Sequence, residues 1–223
     1  MGIISVEQTD RLYWLGRYTE RVYTTLNLYF VSYDHTLDES PQDYEDFCRS
    51  LDIPNIYTSA EDFRTRYAFD SEDPNSIYSN LNRAYDNAIV LRESIGSESL
   101  SYIQLAIYAL NKGMRSPSPL LELQKVMDNI LAFWGVTDDI IKSENVRNII
   151  KIGKRVERID LYARLGQPKE EMEREICRLT GRNDRCELIY DQECLDNLNL
   201  LLKSTHLNYP LIVNEIERLV KGL

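Results

Sequence analysis

Apolar residues recur every three to four positions along most of this chain, and the two-residue alternation of a half-buried strand is absent. The first stripe runs through Leu12, Leu15, Val22, Leu26, Tyr29 and Tyr33, and Ser5-Val6-Glu7-Gln8 opens it as a capping box. From Asp34 to Pro41 the pattern reads as a turn, with Ser40-Pro41 supplying a cap and a first helical residue. Two short helices follow near residues 43–51 and 60–68, the second capped by Ser59 with Asp62 three residues on. After the break at Ser71-Glu72-Asp73-Pro74-Asn75, the stripe Ile77, Leu81, Tyr85, Ala88, Leu91 and Ile95 predicts another long helix, ended or bent at Gly96-Ser97. Residues 100–110, 120–134 and 145–165 are the next helices. Gly135 interrupts the chain between the last two, and Gly166 with Pro168 supplies a stop. Three more helices are expected near 169–179, 187–203 and 210–220. With no low-complexity linker, residues 1–223 read as a single all-α helical bundle.

Helix periodicity does not demand one polar feature. Gly-basic-X-X-Glu-Arg occurs as Gly16-Arg17-Tyr18-Thr19-Glu20-Arg21 and again as Gly153-Lys154-Arg155-Val156-Glu157-Arg158, offset by 157 − 20 = 137 residues. The stripe repeats with it, since Leu12, Leu15, Val22 and Leu26 correspond to Ile149, Ile152, Ile159 and Ala163. At 100° per residue, Arg17, Glu20 and Arg21 fall opposite the apolar stripe, and Lys154, Glu157 and Arg158 do the same in the second copy. A solvated face with local ion pairs is one reading. A recurring glycine, costing ~1 kcal/mol against alanine in a helix, argues that another backbone passes close. The two helices would then cross, with Glu20 pairing Arg158 and Glu157 pairing Arg21. A third reading is a pocket where these basic groups, oriented by the two carboxylates, hold an anionic ligand through planar arginine forks. Local chemistry leaves all three open.

Composition narrows the classes. The net charge of −10 repels phosphate backbones, and the basic residues look scattered rather than clustered, which argues against nucleic acid. No stretch approaches the ~18–20 apolar residues of a membrane span, and residues 1–9 lack a signal-peptide pattern, so a cytoplasmic protein is expected. Cys48, Cys177, Cys186 and Cys194 form no C-x-x-C pair; with His206 they could be drawn as a zinc site, but the spacings fit no standard pattern. Asp138-Asp139 near Glu144 reads as an acidic helix start rather than a magnesium motif. Neither His35 nor His206 sits in the Glu-x-x-His of a di-iron bundle. No metal or cofactor is expected, and no nucleophile has a credible partner. The many tyrosines sit largely on stripe positions and read as core.

The segments Arg11-Leu-Tyr-Trp-Leu-Gly-Arg-Tyr-Thr-Glu-Arg21 and Ile152-Gly-Lys-Arg-Val-Glu-Arg158 resemble the signature of the alpha-E domain family, a bacterial all-helical family of unknown function. Arg83-Ala84-Tyr85-Asp86-Asn87-Ala88, Arg92-Glu93 and Ser97-Glu98 resemble its central helix, and Phe133-Trp134-Gly135-Val136-Thr137 the segment before its second Glu-Arg helix. The resemblance is best over residues 5–165 and leaves 166–223 as a helical C-terminal extension; at Lys154 relatives tend to carry Arg. It implies an accessory or binding component of an ATP-grasp-type peptide ligation or modification system, partnering an ATP-grasp ligase-like or transglutaminase-like protein. Alternatives are an enzyme of that system using Glu20 or Glu157 as base, and a purely structural scaffold. Carried over by motif, the candidate binding residues are Arg17, Glu20, Arg21, Lys154, Glu157 and Arg158. Arg83, Asn87 and Arg92 form a second set placed on one side of a shared helix.

Overall fold

A computed structural model describes residues 4–38, 43–183, 185–186 and 190–221, and these form ten helices. Two of them organise the molecule. Helix α1 (Val6–Asp38) and helix α7 (Glu144–Arg164) cross at its centre and make the most extensive helix–helix contact in the molecule. The α1 cap forms as expected: the Gln8 amide N–H donates to Ser5 Oγ at 3.1 Å. Ser143 caps α7 by accepting from the Val146 N–H. The apolar stripes of both helices, Leu12, Leu15, Val22 and Leu26 in α1 and Ile149, Ile152, Ile159 and Ala163 in α7, are buried.

Helices α2 (Asp43–Leu51) and α3 (Ala60–Arg66) close the C-terminal half of α1 through rings rather than aliphatics. Tyr29, Phe47, Tyr57, Phe63 and Tyr67 meet at centroid distances of 4.8 to 6.4 Å, and Tyr29 Oη donates to the Arg64 carbonyl at 2.7 Å. Core tyrosines need such polar partners. Helix α4 (Ile77–Val90) lies on α1, followed by α5 (Arg92–Gly113) and α6 (Pro119–Ile140), which pack along each other. Helix α8 (Lys169–Asn183) lies on α7, and α9 (Gln192–Lys203) and α10 (Tyr209–Arg218) finish the bundle, α10 also resting on α7. Among the described residues there is no strand, only an isolated bridge between Tyr190 and Val220. None of these helices is long and apolar enough to cross a membrane.

Four boundaries differ from the expectations. The turn expected from Asp34 is still helix up to Asp38, while Ser40-Pro41 lies outside the described residues. The long helix expected over residues 77–95 breaks at Leu91, whose φ of −85° and ψ of 4° end α4 and start α5, and Gly96 at φ +81° bends the chain again. Leu91 and Ile95 are buried on both sides of the break, so the apolar stripe runs through it unmarked. Gly135 does not interrupt α6, because the buried Phe133, Trp134 and Thr137 around it hold the helix. The helix expected from 187 begins at Gln192, and residues 187–189 lie outside the description.

Candidate functional site: the crossing of two Glu-Arg helices

Glycine makes this crossing so close. A methyl on Gly16 would lie 2.9 Å from the Ile150 carbonyl carbon and 3.0 Å from the Lys154 nitrogen. A methyl on Gly153 would lie 3.0 Å from the Tyr13 carbonyl carbon and 3.2 Å from the Arg17 nitrogen. The two sets of contacts are mates under the 137-residue offset, since 13 + 137 = 150, 16 + 137 = 153 and 17 + 137 = 154. The helices therefore run in the same direction and are related by a pseudo-twofold axis that passes between the two glycines. No residue with a Cβ fits either position without pushing backbone against backbone.

One turn beyond the glycines the charged groups meet across the same axis. Arg158 Nε donates to Glu20 Oε1 at 2.5 Å, and its mate Arg21 Nε donates to Glu157 Oε1. Arg17 Nε donates to Glu157 Oε2 at 2.6 Å, whereas its mate Lys154 stands 3.9 Å from Glu20 Oε2. Both carboxylates are sealed, Glu20 at 0% and Glu157 at 1% exposure, so a solvated polar face is excluded. The face opposite the apolar stripe is buried because another helix covers it.

The copies are not equivalent electrostatically. Burial pushes the Glu157 carboxyl up, but Arg17 and Arg21 together overcome it and leave it below its ordinary value. At Glu20 burial wins over Arg158 and Lys154, and its carboxyl sits above the ordinary value. Glu20 Oε2 is buried with no hydrogen-bond partner, and Thr24 Oγ1 donates to Oε1 at 3.2 Å. Burial also pushes Lys154 down to about 7, with Glu20 opposing. Its ammonium lies 3.9 Å above the Trp134 ring of α6, a contact that favours the charged form. Arg17 uses a tryptophan of its own helix, Trp14, at 5.0 Å.

Asp160, which the motif pattern does not include, belongs to this network. It is buried beside the guanidinium groups of Arg17 and Arg21 at 3.9 Å and accepts from Arg164 Nε at 3.0 Å. Its signal in the sequence is slight: an acid one turn after Glu157 on the same face. Among the described residues no group of three His, Cys, Asp or Glu is arranged to hold a metal ion.

Two clefts flank the crossing. One, of about 270 Å³, is lined by Arg21, Thr25, Leu161 and Arg164 together with residues of α2 and α10. The other, of about 480 Å³, is lined by Arg158, Tyr162, Thr24 and Asn27, with Glu20 and the start of α8. The offset maps the first four residues onto the second four. Each motif thus buries its Glu in the crossing and extends its Arg toward one cleft.

Arg83, Asn87 and Arg92 are not part of this cluster, and they do not share one helix side, because α4 ends before Arg92. Arg83 donates to the Pro74 carbonyl at 2.8 Å and lies over the Tyr18 ring at 5.8 Å; Tyr18 stacks on Trp14. Asn87 accepts from Arg11 at 3.4 Å, and Arg92 is exposed and bonds Ser97.

Fold and site together define an all-helical domain built on a pseudo-symmetric crossing of two Glu-Arg helices. Residues 8–205 match the Alpha-E family, "a predicted alpha-helical domain with a conserved ER motif", and the chain belongs to that family. The match continues past Leu165 through α8 and α9. Neither a curated protein nor a solved structure matches the chain.

Proposed function

We propose that this domain is a binding component of an ATP-dependent peptide ligation or modification system in the bacterial cytoplasm. The crossing is its folding lock, and the flanking clefts receive an ATP-grasp ligase-like or transglutaminase-like partner, or a small anionic or peptide ligand that partner handles. The class of partner rests on the family resemblance. What supports binding over catalysis is the closed state of the cluster: both motif carboxylates are buried and accept from arginines inside the crossing, and a general base must reach its substrate's proton within hydrogen-bond distance.

One observation favours the enzyme reading. Glu20 lines the larger cleft and its carboxyl is raised by burial, as a general base requires. The two readings separate in one experiment with the purified chain and a purified ATP-grasp ligase-like protein. Val31→Glu, at the exposed rim of the larger cleft, weakens the complex at least tenfold if the cleft is the docking surface. Glu20→Gln leaves the turnover of the reconstituted pair within about twofold under the binding reading, and lowers it by about 10²–10⁴ if Glu20 is the base. Absence of any complex contradicts the proposal.

A further inference from the structure

Seven of the 26 basic residues that look scattered in the sequence converge on one face. Arg147, Lys151 and Arg155 are spaced i, i+4, i+8 on α7, and Arg174, Arg178 and Arg182 have the same spacing on α8. The helices pack antiparallel, since Arg155 meets Glu175 while Asn148 meets Arg182. The two stripes therefore face each other, and Arg185 extends them past the end of α8.

Few acids balance them. Arg155 Nη1 and Arg178 Nη1 share the Glu175 carboxylate at 2.5 and 2.8 Å, and Arg158 also leans on it at 3.6 Å. Lys151 pairs with Asp138. Among the described residues Arg182 Nη1 donates to the Asn148 amide oxygen, at 3.1 Å, and Arg147 donates to the carbonyls of Ile141 and Lys142. Among the described residues, then, Glu175, Asp138 and Glu171, the last paired with Arg174, are the carboxylates in ion pairs with these seven bases. Arg155 Nε is buried with no hydrogen-bond partner. Burial, then Arg155, Arg185, Arg147 and Arg178, hold Arg182 below its ordinary value, and burial with Arg182 and Arg155 brings Lys151 down to about 8.

A chain with 36 acids and 26 bases has carboxylates in excess, so this local imbalance calls for a cause. The C-terminal dipole of α8 favours Arg182, but Lys151 and Arg155 lie mid-helix in α7 and gain nothing from it. A bound anion accounts for all of them. Planar arginine forks suit phosphate oxygens, and Arg147 to Arg155 spans eight residues, roughly 12 Å at 1.5 Å per residue, longer than one phosphate. Partial burial (Lys151 at 6% and Arg155 at 13% side-chain exposure) and the overall charge of −10 favour a compact anion over a long polyanion.

We infer that the α7–α8 face binds a small molecule carrying two or more linked phosphate groups. None of these seven bases lines either cleft beside the crossing. Calorimetric titration of the full chain with inorganic pyrophosphate, at fixed low ionic strength, tests it. The expected result is saturable binding at least ten times tighter than to orthophosphate. Arg182→Gln, at a half-exposed position where the new amide can still bond Asn148, weakens it at least tenfold and cancels the rise in Tm that pyrophosphate gives the parent. Arg115→Gln, in the exposed loop between α5 and α6, leaves it unchanged. No pyrophosphate binding, an equal loss in Arg115→Gln, or orthophosphate binding as tightly would overturn the proposal. So would a short single-stranded oligonucleotide that binds more tightly than pyrophosphate and is lost in Arg182→Gln, which would assign the face to nucleic acid.

Discussion

The two copies of the Glu-Arg motif occupy the same place in the same crossing, yet their carboxylates differ. Glu157 receives Arg17 at 2.6 Å and also Arg21, so both oxygens are satisfied by guanidinium groups. Glu20 receives Arg158 at 2.5 Å, but where symmetry would place a second fork there is Lys154 at 3.9 Å. A single Arg-to-Lys difference, with the third helix that supplies Trp134, leaves one carboxylate charged and locked and the other raised and incompletely paired. Pseudo-symmetry of backbone therefore does not impose symmetry of charge. The helix approach is shared by the two copies; the state of each carboxylate is local.

The largest expected effects lie where the copies are alike. Gly16→Ala and Gly153→Ala should each cost about 3 kcal/mol or more in urea denaturation, because each methyl meets backbone that only a separation of the helices can move. Tolerance of either would show that the crossing is not close at both glycines.

Next come the carboxylates, where the copies should part. Glu157→Gln leaves Arg17 and Arg21 buried without their counter-ion and should cost about 3–5 kcal/mol. Glu20→Gln removes a charge that burial already disfavours and keeps an acceptor for Arg158, so a loss of about 1 kcal/mol is expected.

A pH series sharpens this. The depressed Glu157 contributes stability that is present above its ordinary value of 4.5 and lost as pH falls through its lower folded value. The raised Glu20 works the other way, favouring the fold below 4.5 and losing that contribution as pH rises through its folded value. Lys154, lowered from 10.5 to about 7, adds stability as pH rises between those values. Lys154→Met should reduce the rise in the urea midpoint over that window without abolishing it, since Lys151, near 8, contributes in the same direction. An unchanged slope would place the Lys154 titration elsewhere.

The smallest effect tests the asymmetry itself. Lys154→Arg restores the fork that Arg17 provides in the other copy and should raise stability by ~0.5–1 kcal/mol, while making Glu157→Gln and Glu20→Gln more nearly equal in cost. A loss of stability would mean that the space over Trp134 admits an ammonium but not a guanidinium.

Much of the crossing was legible in the sequence, because a glycine repeated within two matching stripes has a mechanical meaning. It predicts a close neighbour, and the repeated Glu-Arg predicts what the neighbour offers. The pairing of Glu20 with Arg158 and of Glu157 with Arg21 follows from that geometry. The unequal carboxylates were not legible, since they depend on Trp134 from α6 and on Asp160, whose place in the network appears only once Arg17 and Arg21 are brought across from α1. The break at Leu91 left no mark in the apolar stripe, and so Arg83, Asn87 and Arg92 looked like one face. The basic face escaped for a related reason. Each stripe is visible on its own helix, but their juxtaposition depends on the antiparallel register of α7 and α8.

The motif copies form one lock with unequal halves, and a pair of double-mutant cycles measures that inequality. One cycle takes Glu157→Gln with Arg17→Met, the other their pseudo-symmetry mates Glu20→Gln with Lys154→Met, all read by urea denaturation at neutral pH. A coupling energy of about 1–3 kcal/mol is expected for Glu157 with Arg17, and one below about 0.5 kcal/mol for Glu20 with Lys154. Equal couplings, or a stronger Glu20–Lys154 pair, would contradict it.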